Sequence, residues 1–106
     1  MMNKLIRKLI ATVLAVAPLI AAEHDIVQKD RAFSQTDLTI KAGDSIVFRN
    51  QDEVAHNVFS VSPGMEFDIR RQAPGASSSI TFLKPGVAEI RCSIHPKMKL
   101  MVTVKK

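Results

Sequence analysis

The sequence predicts an all-β fold, a small antiparallel β-sandwich of Greek-key type. Three observations point there. Short runs alternate apolar and polar side chains, Gly, Pro and Asp/Asn clusters separate those runs, and helical periodicity is scarce. With 106 residues one domain is the ceiling. The single cysteine excludes an intrachain disulfide framework.

The first 22 residues read as a secretory signal. Lys4, Arg7 and Lys8 precede the apolar run from Leu9 to Ala17, small residues Ala21 and Ala22 follow, and no acidic residue occurs before Glu23. Cleavage is expected after Ala22, with Ala21 nearly as good. The apolar run is too short to span a bilayer, so residues 23–106 are expected to be a soluble exported domain in the periplasm, without stable membrane insertion. Removing the leader leaves 12 basic against 10 acidic residues, so the apparent net charge of +5 falls to +2. The remaining Lys and Arg are scattered and form no stripe, which argues against a nucleic-acid partner. So small a core benefits from a staple such as a bound metal.

The strands follow in order. Leu38 and Ile40 alternate with Thr39 and Lys41, the turn Ala42-Gly43-Asp44 follows, and Ile46 and Phe48 share a face of the next run. Asn50 to Glu53 breaks the pattern as a polar turn, a simpler account of Asp52-Glu53 beside His56 than a general-base pair. Val54, His56 and Val58 share one face if that segment is extended, unless a bulge shifts the parity. Phe67 and Ile69 alternate across residues 65–76, where a short helix is the alternative. Ile80 and Phe82 face together, then Ala88, Ile90 and Cys92, which turns Cys92 inward. Leu100, Val102 and Val104 close the core. Six or seven strands result.

The segment Cys92-Ser93-Ile94-His95-Pro96-Lys97-Met98 joins two of these strands and holds three soft or borderline ligands in seven residues. His56 supplies a fourth candidate from another strand end. Thiolate and imidazole bind copper tightly, and a thioether is a weak ligand that can sit axially. Zinc is the rival for Cys with two His, although a thioether contributes little to it. A c-type haem pattern is absent. Each residue also has a plain reading: Cys92 as a buried structural thiol or intermolecular disulfide partner, His56 as a core-edge histidine bonded to backbone, Met98 as core filler. An unpaired thiol in an exported protein, so close to His95 and Met98, weighs toward ligation.

Taken together, Leu38 to Asp44, His56-Asn57-Val58, Lys84-Pro85-Gly86 and Cys92 to Met98 resemble the cupredoxins, the type 1 blue-copper proteins. The short ligand loop is most like amicyanin and the plastocyanin-like proteins of methylamine utilisation. The resemblance implies His56, Cys92 and His95 as equatorial ligands, Met98 as the axial one, and one copper ion cycling between Cu(I) and Cu(II). It also implies that Asn57 ties the first histidine's strand to the loop near Ser93, and that His95 is the surface port, ringed by apolar residues such as Pro96 and Pro63 or Met65. Arg91 departs from the family, which generally has an aromatic residue there, and the basic Lys97 and Lys99 flank the loop. The chain is also short for the family, implying a strand trimmed near the N-terminus. Function is then expected to be single-electron transfer, with no catalysis, by a monomer meeting transient redox partners such as a c-type cytochrome or an exported dehydrogenase. A copper carrier or buffer binding Cu(I) at the same site is the alternative.

Overall fold

The computed structural model describes residues 20–106. The basic start and apolar run of the leader lie outside the described residues. Among the described residues nine strands form two packed sheets: β1 (Glu23–Lys29), β2 (Ala32–Phe33), β3 (Asp37–Lys41), β4 (Ser45–Asn50), β5 (His56–Ser60), β6 (Phe67–Gln72), β7 (Ser77–Thr81), β8 (Gly86–Arg91) and β9 (Lys99–Lys105). One sheet has the order β2-β1-β4-β7 and the other β3-β9-β8-β5-β6. Among the described residues no helix is long and apolar enough to cross a membrane.

The all-β sandwich is as expected, but it is mixed rather than wholly antiparallel. β1 runs parallel to β4 and β3 parallel to β9. Parallel neighbours cannot be joined by a tight hairpin. Here the chain leaves β1, visits the opposite sheet as β3, and returns as β4 pointing the same way.

At the N-terminus the structure adds β1 and the short β2 ahead of the first strand read from the sequence. Ile26 and Gln28 are fully buried along β1 while Asp25 and Lys29 are exposed. That alternation is masked in the sequence because one inward residue is a glutamine. Residues 67–72 are a strand, β6, not a helix.

Inward parity elsewhere is as read from the sequence. Ala88, Ile90, Leu100 and Val102 are wholly buried, and Cys92 and Val104 nearly so, with Phe48, Ile46, Ile26 and Val58 completing the core. Full burial of one such Leu, Ile or Phe contributes about 1.5–3 kcal/mol. β5 breaks strict alternation, being buried at His56, Asn57, Val58 and Ser60. Its pairing with β6 shifts register between Asn57 and Phe59, so Ile69 and Arg70 stand against Val58. Arg70 takes a positive φ of 61° at this bulge, and the Asp68 carboxylate accepts its amide at 2.7 Å.

Asp44 fastens the start of β1 to the β3–β4 turn. Its carboxylate accepts hydrogen bonds from His24 Nε2 (3.0 Å), Ala22 N (2.9 Å) and Lys41 N (3.0 Å). The His24 bond first, then those two amides, draw its pKa from the ordinary 3.8 down to about 2.

Two outcomes follow. Leu100→Ala removes a fully buried side chain from β9 and should cost about 2–5 kcal/mol in urea unfolding. Because the folded pKa of Asp44 is depressed, its contribution is complete above pH 3.8 and disappears as pH falls toward 2. Asp44→Asn should therefore lower stability at neutral pH and flatten the decline between pH 4 and 2, as read from urea midpoints across that range. An unchanged slope would remove Asp44 from the acid-unfolding account.

Candidate metal centre

The ends of β5 and β8 lie side by side because those strands pair antiparallel through Phe59 and Arg91. His56 opens β5, and Cys92 follows β8 by one residue. Both are buried, at 0% and 1% exposure. The loop from Ser93 to Met98 then turns back into β9, closed by Met98 N donating to His95 O at 3.0 Å.

This geometry brings three of the four expected ligands to one point. His56 Nδ1 lies 3.7 Å from Cys92 Sγ and 3.2 Å from His95 Nδ1, and candidate ligand atoms of the three residues all lie within 4.8 Å of one another. Such spacings suit atoms each bound roughly 2.0–2.3 Å from a single ion. Met98 is 2% exposed and belongs to the same buried cluster as Cys92.

The histidines differ in exposure. His56 is sealed, while His95 is half-buried beside Arg31, Ile94, Pro96 and Lys97 at the surface. Met65 is not part of that surface. It packs against Gly86 at the far end of β8 and shares a cleft with Gly64, Phe67, Ile80 and Phe82.

The expected role of Asn57 has a geometric basis. Its Oδ1 accepts from Ser93 Oγ at 2.8 Å and Ser93 N at 3.3 Å, clamping the loop just after Cys92. The Asn57 backbone N–H points at Cys92 Sγ from 3.3 Å. Hydrogen bonds of this kind orient a thiolate ligand and tune the metal it binds. On its other side, Asn57 Nδ2 donates to Asp68 Oδ1 at 2.7 Å, which fixes which way the amide faces.

Three contributors escaped the sequence reading. Asp68 reaches Asn57 only because of the bulge in β6. Arg91, noted as a departure from the family, donates Nη1 to Glu89 and Nη2 to Pro96 O, both at 2.8 Å, and so props the ligand loop. Asp52, read as part of a polar turn, accepts a hydrogen bond from His56 Nε2 at 2.9 Å. Its carboxyl is drawn down to about 2, first by the Arg31 amide and then by His56. A polar turn four residues before a candidate ligand histidine is the available signal, since metal-binding imidazoles commonly donate their second N–H to a carboxylate.

A two-sheet sandwich with a thiol and two imidazoles converging at one end defines a protein of the cupredoxin fold with a candidate metal centre. Residues 20–105 match the model of the copper binding proteins, plastocyanin/azurin family, and the chain belongs to that family. It is 33% identical over 76 residues to amicyanin-alpha of Methylorubrum extorquens, a match spanning 69% of this chain and 64% of that protein, just under two thirds of the relative's length. The structure of amicyanin from Paracoccus versutus superposes with a TM-score of 0.68 at 26% identity, covering 86% of this chain and 87% of that one. A Cu-containing nitrite reductase from Thermus scotoductus superposes with a TM-score of 0.75 at 24% identity, over 88% of this chain but only 24% of the larger one. That second likeness is one of fold alone.

Asn57→Ala removes the clamp on both sides at once. It should cost about 1–3 kcal/mol in unfolding of the metal-free protein and increase amide exchange at Ser93. Unaltered protection at Ser93 would show that the loop holds its shape without Asn57.

Proposed function

We propose that the protein is an exported type 1 copper protein that carries single electrons between redox partners in the periplasm and catalyses no reaction of its own. The observation that carries this reading is the convergence of Cys92 Sγ with the imidazole nitrogens of His56 and His95 at a buried point. One thiolate and two imidazoles, with a methionine as a weak fourth ligand, form the donor set of electron-transfer copper sites. We assign Met98 to that fourth position from its burial and its place in the loop. When bound, copper supplies a one-electron couple between Cu(I) and Cu(II).

The chain's own residues supply the rest. The sheet holds His56 and Cys92 in fixed positions, the Asn57 clamp limits loop movement, and His95 connects the buried centre to the surface. A donor set that keeps its arrangement in both oxidation states lowers the reorganisation that accompanies each transfer. The surface around His95 joins apolar Ile94 and Pro96 to cationic Arg31 and Lys97, with Lys99 exposed at the start of β9. Such a patch suits brief docking of a partner with acidic groups, steered by charge rather than held by area. A c-type cytochrome or an exported dehydrogenase fits that description. We expect the protein itself to act as a monomer.

The second reading is a copper carrier that binds Cu(I) through the same ligands for delivery or buffering. Arg31 and Lys97 beside His95 are compatible with either role, but the sealed position of His56 favours retention of the ion over ready exchange.

One equivalent of Cu(II) added to the purified protein should give an intense visible thiolate-to-copper band and the narrow paramagnetic resonance splitting of a type 1 site. Cys92→Ala should abolish both, and Met98→Ala should keep copper while shifting its potential. No coloured species with Cys92 verified as reduced would overturn the reading. An unchanged potential in Met98→Ala would return that residue to core packing.

A further inference from the structure

We propose that Asp52 is a positioning residue of the metal centre. Its carboxylate holds the proton of His56 on Nε2, leaves Nδ1 bare toward Cys92 and His95, and biases bound copper toward its oxidised state. The inference rests on the copper reading above.

The first half follows from hydrogen-bond chemistry. An ionised carboxylate can only accept. At 2.9 Å from Asp52 Oδ2, His56 Nε2 must therefore carry the hydrogen, and in a neutral ring the other nitrogen then carries a lone pair. That other nitrogen, Nδ1, is the one facing Cys92 Sγ and His95 Nδ1. The carboxylate thus selects the ring tautomer that can ligate at this point.

The second half follows from where the charge is held. The side chain of His56 is 0% exposed and that of Asp52 10%, so solvent screens the pair weakly. A fixed negative charge on the far side of a ligand ring makes the imidazole a stronger donor and favours the more positively charged metal state.

Asp52 is held in place from every direction. Oδ2 also accepts Arg31 N at 2.8 Å, Oδ1 accepts Glu53 N at 2.9 Å, and its own N–H is bound to Asn50 Oδ1 at 2.9 Å. Asn50 is anchored in turn by donating to Val54 O and Gln72 O, both at 3.0 Å. The Arg31 amide comes from the two-residue turn between β1 and β2, where Asp30 and Arg31 both take positive φ, 52° and 55°. The amino-terminal hairpin therefore buttresses His56 through Asp52.

Asp52→Asn and Asp52→Ala separate the two effects. Asparagine keeps an acceptor oxygen and removes the charge. It should leave the His56 tautomer intact while lowering the ratio of Cu(II) to Cu(I) affinity about tenfold, which raises the potential by about 59 mV for a one-electron couple. Alanine should also release the tautomer, seen in the metal-free protein as loss of the Nε2–H signature of His56 in nitrogen–proton correlation spectra. Zinc, which has no redox change, should then bind about tenfold more weakly. If alanine does not fold, the asparagine variant carries the test alone. A metal-free wild type whose His56 bears its proton on Nδ1 would overturn the inference and leave the copper reading standing, as would an unmoved potential in folded Asp52→Asn. A wild type that forms no blue species overturns the copper reading and, with it, the redox half of this one.

Discussion

The antiparallel pairing of β5 with β8 is the constraint on which the centre depends. It sets His56 and Cys92, 36 positions apart in sequence, at adjacent strand ends, with the amide of Asn57 directed at the sulfur between them. Neither residue is on a flexible arm. His56 opens one strand and Cys92 directly follows another, and the nearby Val58 and Ile90 are completely buried, so moving either side chain means disturbing the core. Only His95 and Met98 come from a loop, and that loop is tied at Ser93 by Asn57, at Pro96 by Arg91, and at its end by the first residue of β9. A site assembled this way takes its geometry from the sheets and from ties to the loop rather than from the loop alone.

What could be read in the amino-acid order divides along physical lines. Inward positions of β8 and β9 were legible because both strands alternate cleanly, as was the convergence of Cys92 and His95 with His56, because soft donors at that spacing have few other uses. His56 was legible as a candidate, but its company was not. β1 went unseen because Gln28, a polar residue, occupies an inward position and donates to Gln72 at 2.6 Å. The parallel pairings were hidden because strand direction depends on which sheet the chain visits next, and local patterning carries no such information. Bulges act similarly: the shift opposite Val58 places Asp68 on Asn57, and nothing in the residues 65–76 announces that register.

Beneath the ligands lies a polar layer that an apolar core would not predict. Gln28 donates to Gln72, Gln72 donates to Phe48 O at 2.9 Å, and Asn50 donates to Gln72 O and Val54 O. Gln28, Gln72 and Asn50 are all buried. Burying amides costs several kcal/mol unless they are paired, so the layer has to be justified by what it holds. It links β1, β4 and β6, drawn from both sheets, and ends at the turn that carries Asp52. Leucines at the same positions would seal the sheets as well, but they could not fix the direction of a carboxylate.

This arrangement explains why the amino-terminal hairpin matters to a centre built from the opposite sheet. The turn at Asp30 and Arg31 adopts a backbone conformation that non-glycine residues resist, and the Arg31 amide it exposes is satisfied by Asp52. The same turn carries the Arg31 side chain to the rim beside His95 and Lys97. One short hairpin therefore acts on the centre twice: its backbone steadies the partner of the buried histidine, and its guanidinium adds charge around the half-buried one. Shortening β1 or relaxing that turn would loosen the first contact and redistribute the second together. The surroundings of the buried histidine and the rim of His95 are consequently joined through a segment that supplies none of the candidate ligands.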